Sequence, residues 1–203
     1  MNTFIKTIEV LGLIAFALTG IYEARKKGMD IVGVYAVAMI TAFGGGSLRD
    51  IILDRHPLFW IEHYEYAILL LALSVAPSLM KKNPFDKKNM VMGMLVLDAL
   101  GLGFFSASGA SVADKLGCVP YVAALLGVTT GVFGGVMRDI ICNEVPTVFQ
   151  RTELYATCSF LGAWCYLVVA HGAGGEISAV AACIAVTFVL RMLAIVYKIK
   201  LPL

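Results

Sequence analysis

Apolar residues run along this chain in seven stretches, at approximately 5–24, 31–53, 65–80, 90–113, 120–142, 153–171 and 177–198. A helix needs about 20 residues to cross the roughly 30 Å hydrocarbon layer of a bilayer. The spacing therefore predicts seven membrane-spanning helices, the third being the shortest. Helix-ending punctuation separates them. Arg25, Lys26, Lys27 and Gly28 follow the first, Pro57 the second, and Lys81, Lys82, Asn83 and Pro84 the third. Gly117 and Pro120 divide the fourth from the fifth, Pro146 follows the fifth, and Gly172, Gly174 and Gly175 follow the sixth.

Composition changes the picture only by fixing the solvent. The 203 residues are 60% hydrophobic and 15% charged, with mean hydropathy +0.85, against about 25% charged residues in an ordinary soluble domain. One soluble core cannot hide that much apolar surface, so lipid must cover the rest. The first twenty residues contain Glu9 and run into a full span, which reads as a helix rather than a cleavable signal. The basic residues then orient the chain. Arg25, Lys26, Lys27, Lys81, Lys82, Lys87, Lys88, Arg151, Lys198 and Lys200 fall on one side of a seven-span arrangement, and little more than Lys6, Arg55 and Lys115 on the other. The positive-inside rule predicts an outer N-terminus and a cytoplasmic C-terminus. Lys81, Lys82, Lys87 and Lys88 are placed to touch anionic lipid headgroups.

The chain also matches itself. Thr41 to Ile52 (TAFGGGSLRDII) returns as Thr130 to Ile141 (TGVFGGVMRDII), an offset of 134 − 45 = 89. Leu11 with Leu100, Gly12 with Gly101, Phe16 with Phe105, Gly20 with Gly109, Gly28 with Gly117 and Pro57 with Pro146 keep that register, and Glu9 aligns with Asp98. Spans three and six match faintly, as at Tyr66 and Tyr155. Each unit holds three spans, 5–80 and 90–171. Three is odd, so the second unit is expected to enter the membrane from the opposite side, with 177–198 as a seventh helix. The expected fold is all-α: a single transmembrane domain over 1–203, built as two inverted three-helix repeats plus one helix.

Candidate chemistry gathers on the repeated motif. Gly44, Gly45 and Gly46, with Gly134 and Gly135, lie near the middle of spans two and five. Each glycine costs about 1 kcal/mol relative to alanine inside a helix, so the runs are expected to weaken or bend the helices beside a polar path. Close packing through small residues is the alternative. Arg49-Asp50 and Arg138-Asp139 follow the glycines, where charges must pair or face water. They either line a pore or clamp the repeats, with Arg49 pairing Asp139 or Asp50 and Arg138 taking the other carboxylate. Glu9 and Asp98 are expected to attract cations or to anchor a helix contact. Thr41 and Thr130, with Thr19, Tyr22, Ser106, Ser108, Ser111 and Thr129, offer hydroxyls to a polar path or to their own helix backbone.

The remaining features exclude more than they suggest. His56, Glu62, His63 and Glu65 cluster between spans two and three, where a solvated acidic mouth is favoured over a metal site. Cys118, Cys142, Cys158, Cys165 and Cys183 form no CxxC pair and read as small core side chains. No Walker loop, HExxH or GxSxG appears. No enzyme, no cofactor, no resident metal and no nucleic-acid partner are expected.

Paired Gly-Gly-x-x-Arg-Asp motifs in spans two and five, on a three-plus-three-plus-one plan, resemble the prokaryotic trimeric intracellular cation (TRIC) channel family over essentially the whole chain. The resemblance implies a homotrimer in a prokaryotic inner (cell) membrane with a pore in each subunit, monovalent cation selectivity (potassium, with sodium also admitted), and glycine-kinked helices beside the pore. Carried onto this chain, the kinks fall at Gly44-Gly45-Gly46 and Gly134-Gly135, with Phe133 replacing the first glycine of the second motif. Two other readings stay open: a secondary transporter of glycine or another small amino acid, and a non-conducting membrane scaffold.

Overall fold

The computed structural model describes residues 3–79, 90–151, 153–172 and 174–200, and side chains from Thr7 onward within them, except those of 78 and 79. Lys81, Lys82, Lys87 and Lys88, with their expected lipid contacts, lie outside the described residues. Eight α-helices follow in order among the described residues: α1 (Thr3–Lys26), α2 (Ile31–Ile52), α3 (Phe59–Glu62), α4 (Tyr64–Leu79), α5 (Met90–Lys115), α6 (Pro120–Ile141), α7 (Ala156–His171) and α8 (Glu176–Tyr197), with a 3-10 turn at Thr147–Phe149.

Five of them, α1, α2, α5, α6 and α8, are long and apolar enough to cross a membrane, while α4 and α7 are shorter apolar helices. Helix α4 has the 16 residues expected of 65–80, whereas the expected span at 153–171 contracts to the 16 residues of α7. On the sixth the reason is local: 142–155 forms turns and the 3-10 element before α7 begins.

The sequence offset reappears in the backbone. Gly28 (φ +71°) and Gly117 (φ +77°) end α1 and α5 in the left-handed region that only glycine enters freely. Asp54 (φ 50°) and Asn143 (φ 56°) do the same beyond α2 and α6, using the two residue types that best tolerate it after glycine. The helix starts differ. The Asp30 carboxylate accepts from the Gly33 amide at 2.8 Å, whereas α6 begins on Pro120, whose missing N–H costs nothing there.

Packing falls into two main apolar clusters, one mainly among α1, α2 and α4 with Phe105 of α5, and one mainly among α5, α6, α7 and α8 with Ile8 of α1. They join where α1 meets α5 and α2 meets α6. At the first junction the Phe16 and Phe105 rings, equivalent in the two repeats, lie 5.1 Å apart. The second junction depends on glycine. A methyl group on Gly45 would overlap the Thr130 carbonyl oxygen, and one on Gly134 would overlap the Thr41 carbonyl oxygen. Both helices nevertheless remain α-helical through Gly44–Gly46 and Gly134–Gly135. The expected weakening or bend does not interrupt either helix, and the glycines at 45 and 134 let the two touch backbone to backbone, as the packing alternative has it. A cost of about 1 kcal/mol per glycine is too small to open helical hydrogen bonds where little water can replace them.

Candidate functional site

Two buried arginines organise the molecule. Arg49 stands in the last turn of α2, 3% exposed. Its Nε donates to Asp50 Oδ1 at 2.9 Å, its Nη1 donates to Ser108 Oγ on α5 at 2.9 Å, and Glu9 Oε1 on α1 lies 3.8 Å away. Ser108 in turn donates to Glu9 Oε1 at 2.6 Å. Arg138 repeats the pattern from α6: its Nε donates to Asp139 Oδ1 at 2.9 Å, and its Nη1 donates to Thr19 Oγ1 at 3.0 Å and to Asp98 Oδ1 at 3.2 Å. Arg49 with Arg138, Glu9 with Asp98, and Thr19 with Ser108 are all related by the offset of 89.

The expected alternative in which Arg49 takes Asp139 is thereby corrected. Each arginine keeps the carboxylate next to it and the acid of its own repeat, while the neutral hydroxyl comes from the other repeat. The outer partners of the two aspartates differ. Arg55 Nη1 donates to Asp50 Oδ1 at 3.1 Å, whereas the Thr147 amide and hydroxyl donate to Asp139 Oδ2 at 3.0 and 3.2 Å.

Each centre closes the floor of a polar cavity. One, of about 230 Å³, is walled by Thr19, Tyr22, Glu23, Lys26, Asp98, Arg138, Asp139, Glu144, Thr147, Gln150 and Arg191, with Val91, Met94 and Leu95 at its apolar edge. It opens at the end of the molecule where Lys27 meets Glu144 at 2.5 Å. The other, of about 240 Å³, is walled by Glu9, Arg49, Asp50, Arg55, Pro57, Phe59, Glu62 and His63, and opens at the opposite end. Either has room for several waters. Counting His63 as neutral, carboxylates outnumber cationic groups by one in each: four against three in the first and three against two in the second. From Arg49 a crevice of about 20 Å³ continues inward between Leu13, Phe43, Gly46, Trp60 and Phe105.

The other expected residues fall into place around these centres. Gly46 and Gly135 leave the space beside the Arg49 and Arg138 guanidinium groups, and Gly44 faces the Gly134 Cα. The Thr41 and Thr130 hydroxyls donate to Val37 and Leu126 carbonyls of their own helices at 2.6 Å and pack on Gly20 and Gly109, so their part here is packing. Ser106 meets Ser159 at 2.6 Å, Ser111 donates to Glu176 at 3.4 Å, and Thr129 donates to Leu125. His56 pairs with Asp54 and His63 with Glu65, and among the described residues no three His, Cys, Asp or Glu side chains gather as metal ligands. The five cysteines are free thiols.

Sequence reasoning missed Arg191, which is 2% exposed on α8. Its presence in an otherwise apolar helix was the available signal. It also missed Tyr155 as more than a faint repeat match, and Thr147, whose role depends on how the 142–155 segment folds back.

A chain whose described residues form helices and no strand, with apolar outer faces and paired charges at the floors of two opposed cavities, is an integral membrane protein. Comparison with known proteins narrows this. A family model described as glycine transporter matches residues 6–82 and again 95–171, a displacement of 89 at both ends. The chain is 32% identical over 197 residues to the UPF0126 inner membrane protein YadS of Escherichia coli (strain K12), covering 96% of this chain and 93% of that one. It is 31% identical over 199 residues to the UPF0126 membrane protein YvgT of Bacillus subtilis (strain 168), covering 96% and 94%. The solved TRIC trimeric intracellular cation channel orthologue from Rhodobacter sphaeroides superposes with TM-score 0.90 at 32% identity, covering 98% of this chain and all of that one. A prokaryotic TRIC channel solved in 0.5 M KCl superposes with TM-score 0.86 at 30% identity, covering 99% and 100%. The chain belongs to the prokaryotic TRIC family.

Proposed function

We propose that this protein is a monovalent cation channel, permeable to potassium and also to sodium, that assembles as a homotrimer with one pore in each subunit. The observation that carries the reading is the pair of equivalent arginine–carboxylate centres, each capping a polar cavity, with the cavities open at opposite ends. The path runs from the Arg55 cavity past Arg49, beside the α2–α6 crossing and the Phe16–Phe105 pair, to Arg138 and the second cavity. Excess carboxylate in both cavities favours cations over anions. In the arrangement described here both guanidinium groups stand across the path, which is a closed state. Conduction requires them to swing aside into the room left by Gly46 and Gly135.

The whole of 1–203 forms one membrane domain, with 5–80 and 90–171 as inverted repeats and 177–198 as the seventh span. The N-terminus lies outside and the C-terminus in the cytoplasm, so the Lys27–Glu144 end faces inward. The relatives support the reading by name: the solved neighbours at 30% identity or more are TRIC cation channels, and one of them is called trimeric.

A second reading has its own support. A cavity that offers both a guanidinium and carboxylates suits a zwitterion, and the matching family model is described as a glycine transporter. Potassium efflux from loaded liposomes separates the two. The channel reading predicts efflux that follows the imposed voltage without saturating. Tight liposomes that take up glycine saturably would replace it with the transporter.

A further inference from the structure

We propose that Arg191 of α8 is a positioning residue that fixes Tyr155 as part of the wall around the Arg138 centre, so that movement of α8 changes how often this path opens. The inference rests on the channel reading for its last clause only. Arg191 is among the largest wholly enclosed side chains in the protein. Its Nη1 donates to the Glu153 carbonyl at 3.2 Å and to the Leu154 carbonyl at 2.8 Å, holding the strand of chain that leads into α7. Its guanidinium lies 4.8 Å from the centre of the Tyr155 ring, within stacking range. Beyond α8, the Ile199 carbonyl accepts from the Leu154 amide at 3.0 Å, so the same short segment is tied twice to the end of that helix.

Tyr155 carries the connection inward. Its hydroxyl lies over Gly135, and the residue shares a crevice with Arg138, Asp139 and Thr147, the groups of the inner centre. Arg191 itself reaches the cavity that Arg138 closes. A buried arginine on a membrane helix is costly, and here the two bonds that Nη1 makes go to backbone carbonyls rather than to a carboxylate, while the buried Nε has no partner among the described residues. Such carbonyls impose geometry without neutralising the charge. Among the described residues the first repeat carries no such device: Tyr66, the counterpart of Tyr155, stacks on Phe59 at 5.7 Å with the rings 12° apart. The seventh helix therefore acts on one of the two centres.

Arg191→Met, Arg191→Lys and Tyr155→Leu test this in the full-length protein by two readouts. Amide hydrogen exchange at 154–158 is expected to run roughly tenfold faster in Arg191→Met, with α2 unchanged. In single-channel records Arg191→Met and Tyr155→Leu are expected to shift open probability by about threefold or more at unaltered unitary current. The double variant should show no larger shift than either single one. Arg191→Lys should recover only part of the effect, because lysine keeps the charge but loses the planar fork. A change in unitary current that Arg191→Lys fully restores would make Arg191 a pore charge and overturn the proposal. Unchanged exchange at 154–158 would overturn it equally. If the native protein passes no current, the channel reading fails while the exchange measurement still decides whether Arg191 positions Tyr155.

Discussion

Gly134 of α6 rests on the backbone carbonyl of Thr41 of α2, with no space for even a methyl group between them. Its repeat-mate Gly45 rests in the same way on Thr130, so the crossing of α2 and α6 is locked from both sides by one residue from each repeat. This crossing sets the distance between the two arginine centres.

Alanine at Gly45 or Gly134 is expected to destabilise the protein by about 1–3 kcal/mol, because the obstacle is backbone and cannot rotate away. Alanine at Gly44 or Gly46 meets its nearest neighbour at 3.8 Å and is expected to change little. Thermal unfolding of the four variants in detergent checks this. Equal midpoints for all four would show that the crossing is not tight.

Arg138→Met leaves Asp98 and Asp139 facing each other in a buried site, and Arg49→Met does the same to Glu9 and Asp50. Stranding buried carboxylates in this way costs about 3–5 kcal/mol. Arg55 still reaches Asp50, so Arg49→Met should be the milder of the two in the same unfolding measurement. The reverse order would assign Arg55 no part in the outer centre.

The exposed Lys27–Glu144 pair makes a small, pH-dependent contribution. A hydrogen bond from Lys27 holds the Glu144 carboxyl below its ordinary 4.5, and the same bond raises the Lys27 ammonium above 10.5. The glutamate share of the stability is fully present above the unfolded value and is lost as pH falls through the depressed folded one. The lysine share is present below the unfolded value and is lost as pH rises through the raised folded one. Glu144→Gln should therefore lower the unfolding midpoint slightly near neutral pH and not at all in acid. A gap that persists in acid would point to packing instead of charge.

Much of this was legible in the residues. The apolar stretches located the helices, and the offset of 89 paired Arg49 with Arg138 and Glu9 with Asp98 before any contact was known. What could not be read was which faces meet. Helical periodicity places Thr19 and Ser108 among many hydroxyls but does not say that each crosses to the arginine of the other repeat. The glycines were legible as special but with two uses open, and Gly45 and Gly134 mark a close approach of two unbroken helices. The partners of Arg191 were hidden for a different reason, since they are carbonyls of an irregular segment that carries no pattern.

Neutralising the acids bears on selectivity. Glu9→Gln and Asp98→Asn each remove the one-charge excess of carboxylate from a cavity. Under a KCl gradient the reversal potential of the double variant is expected to move toward zero. An unmoved reversal potential would place the selectivity elsewhere.

The most direct measurement is planar-bilayer recording of the purified native protein under that gradient. The account predicts stepwise unitary currents that reverse at the potassium equilibrium potential. Bilayers that stay silent while the same preparation accumulates glycine in liposomes would contradict it.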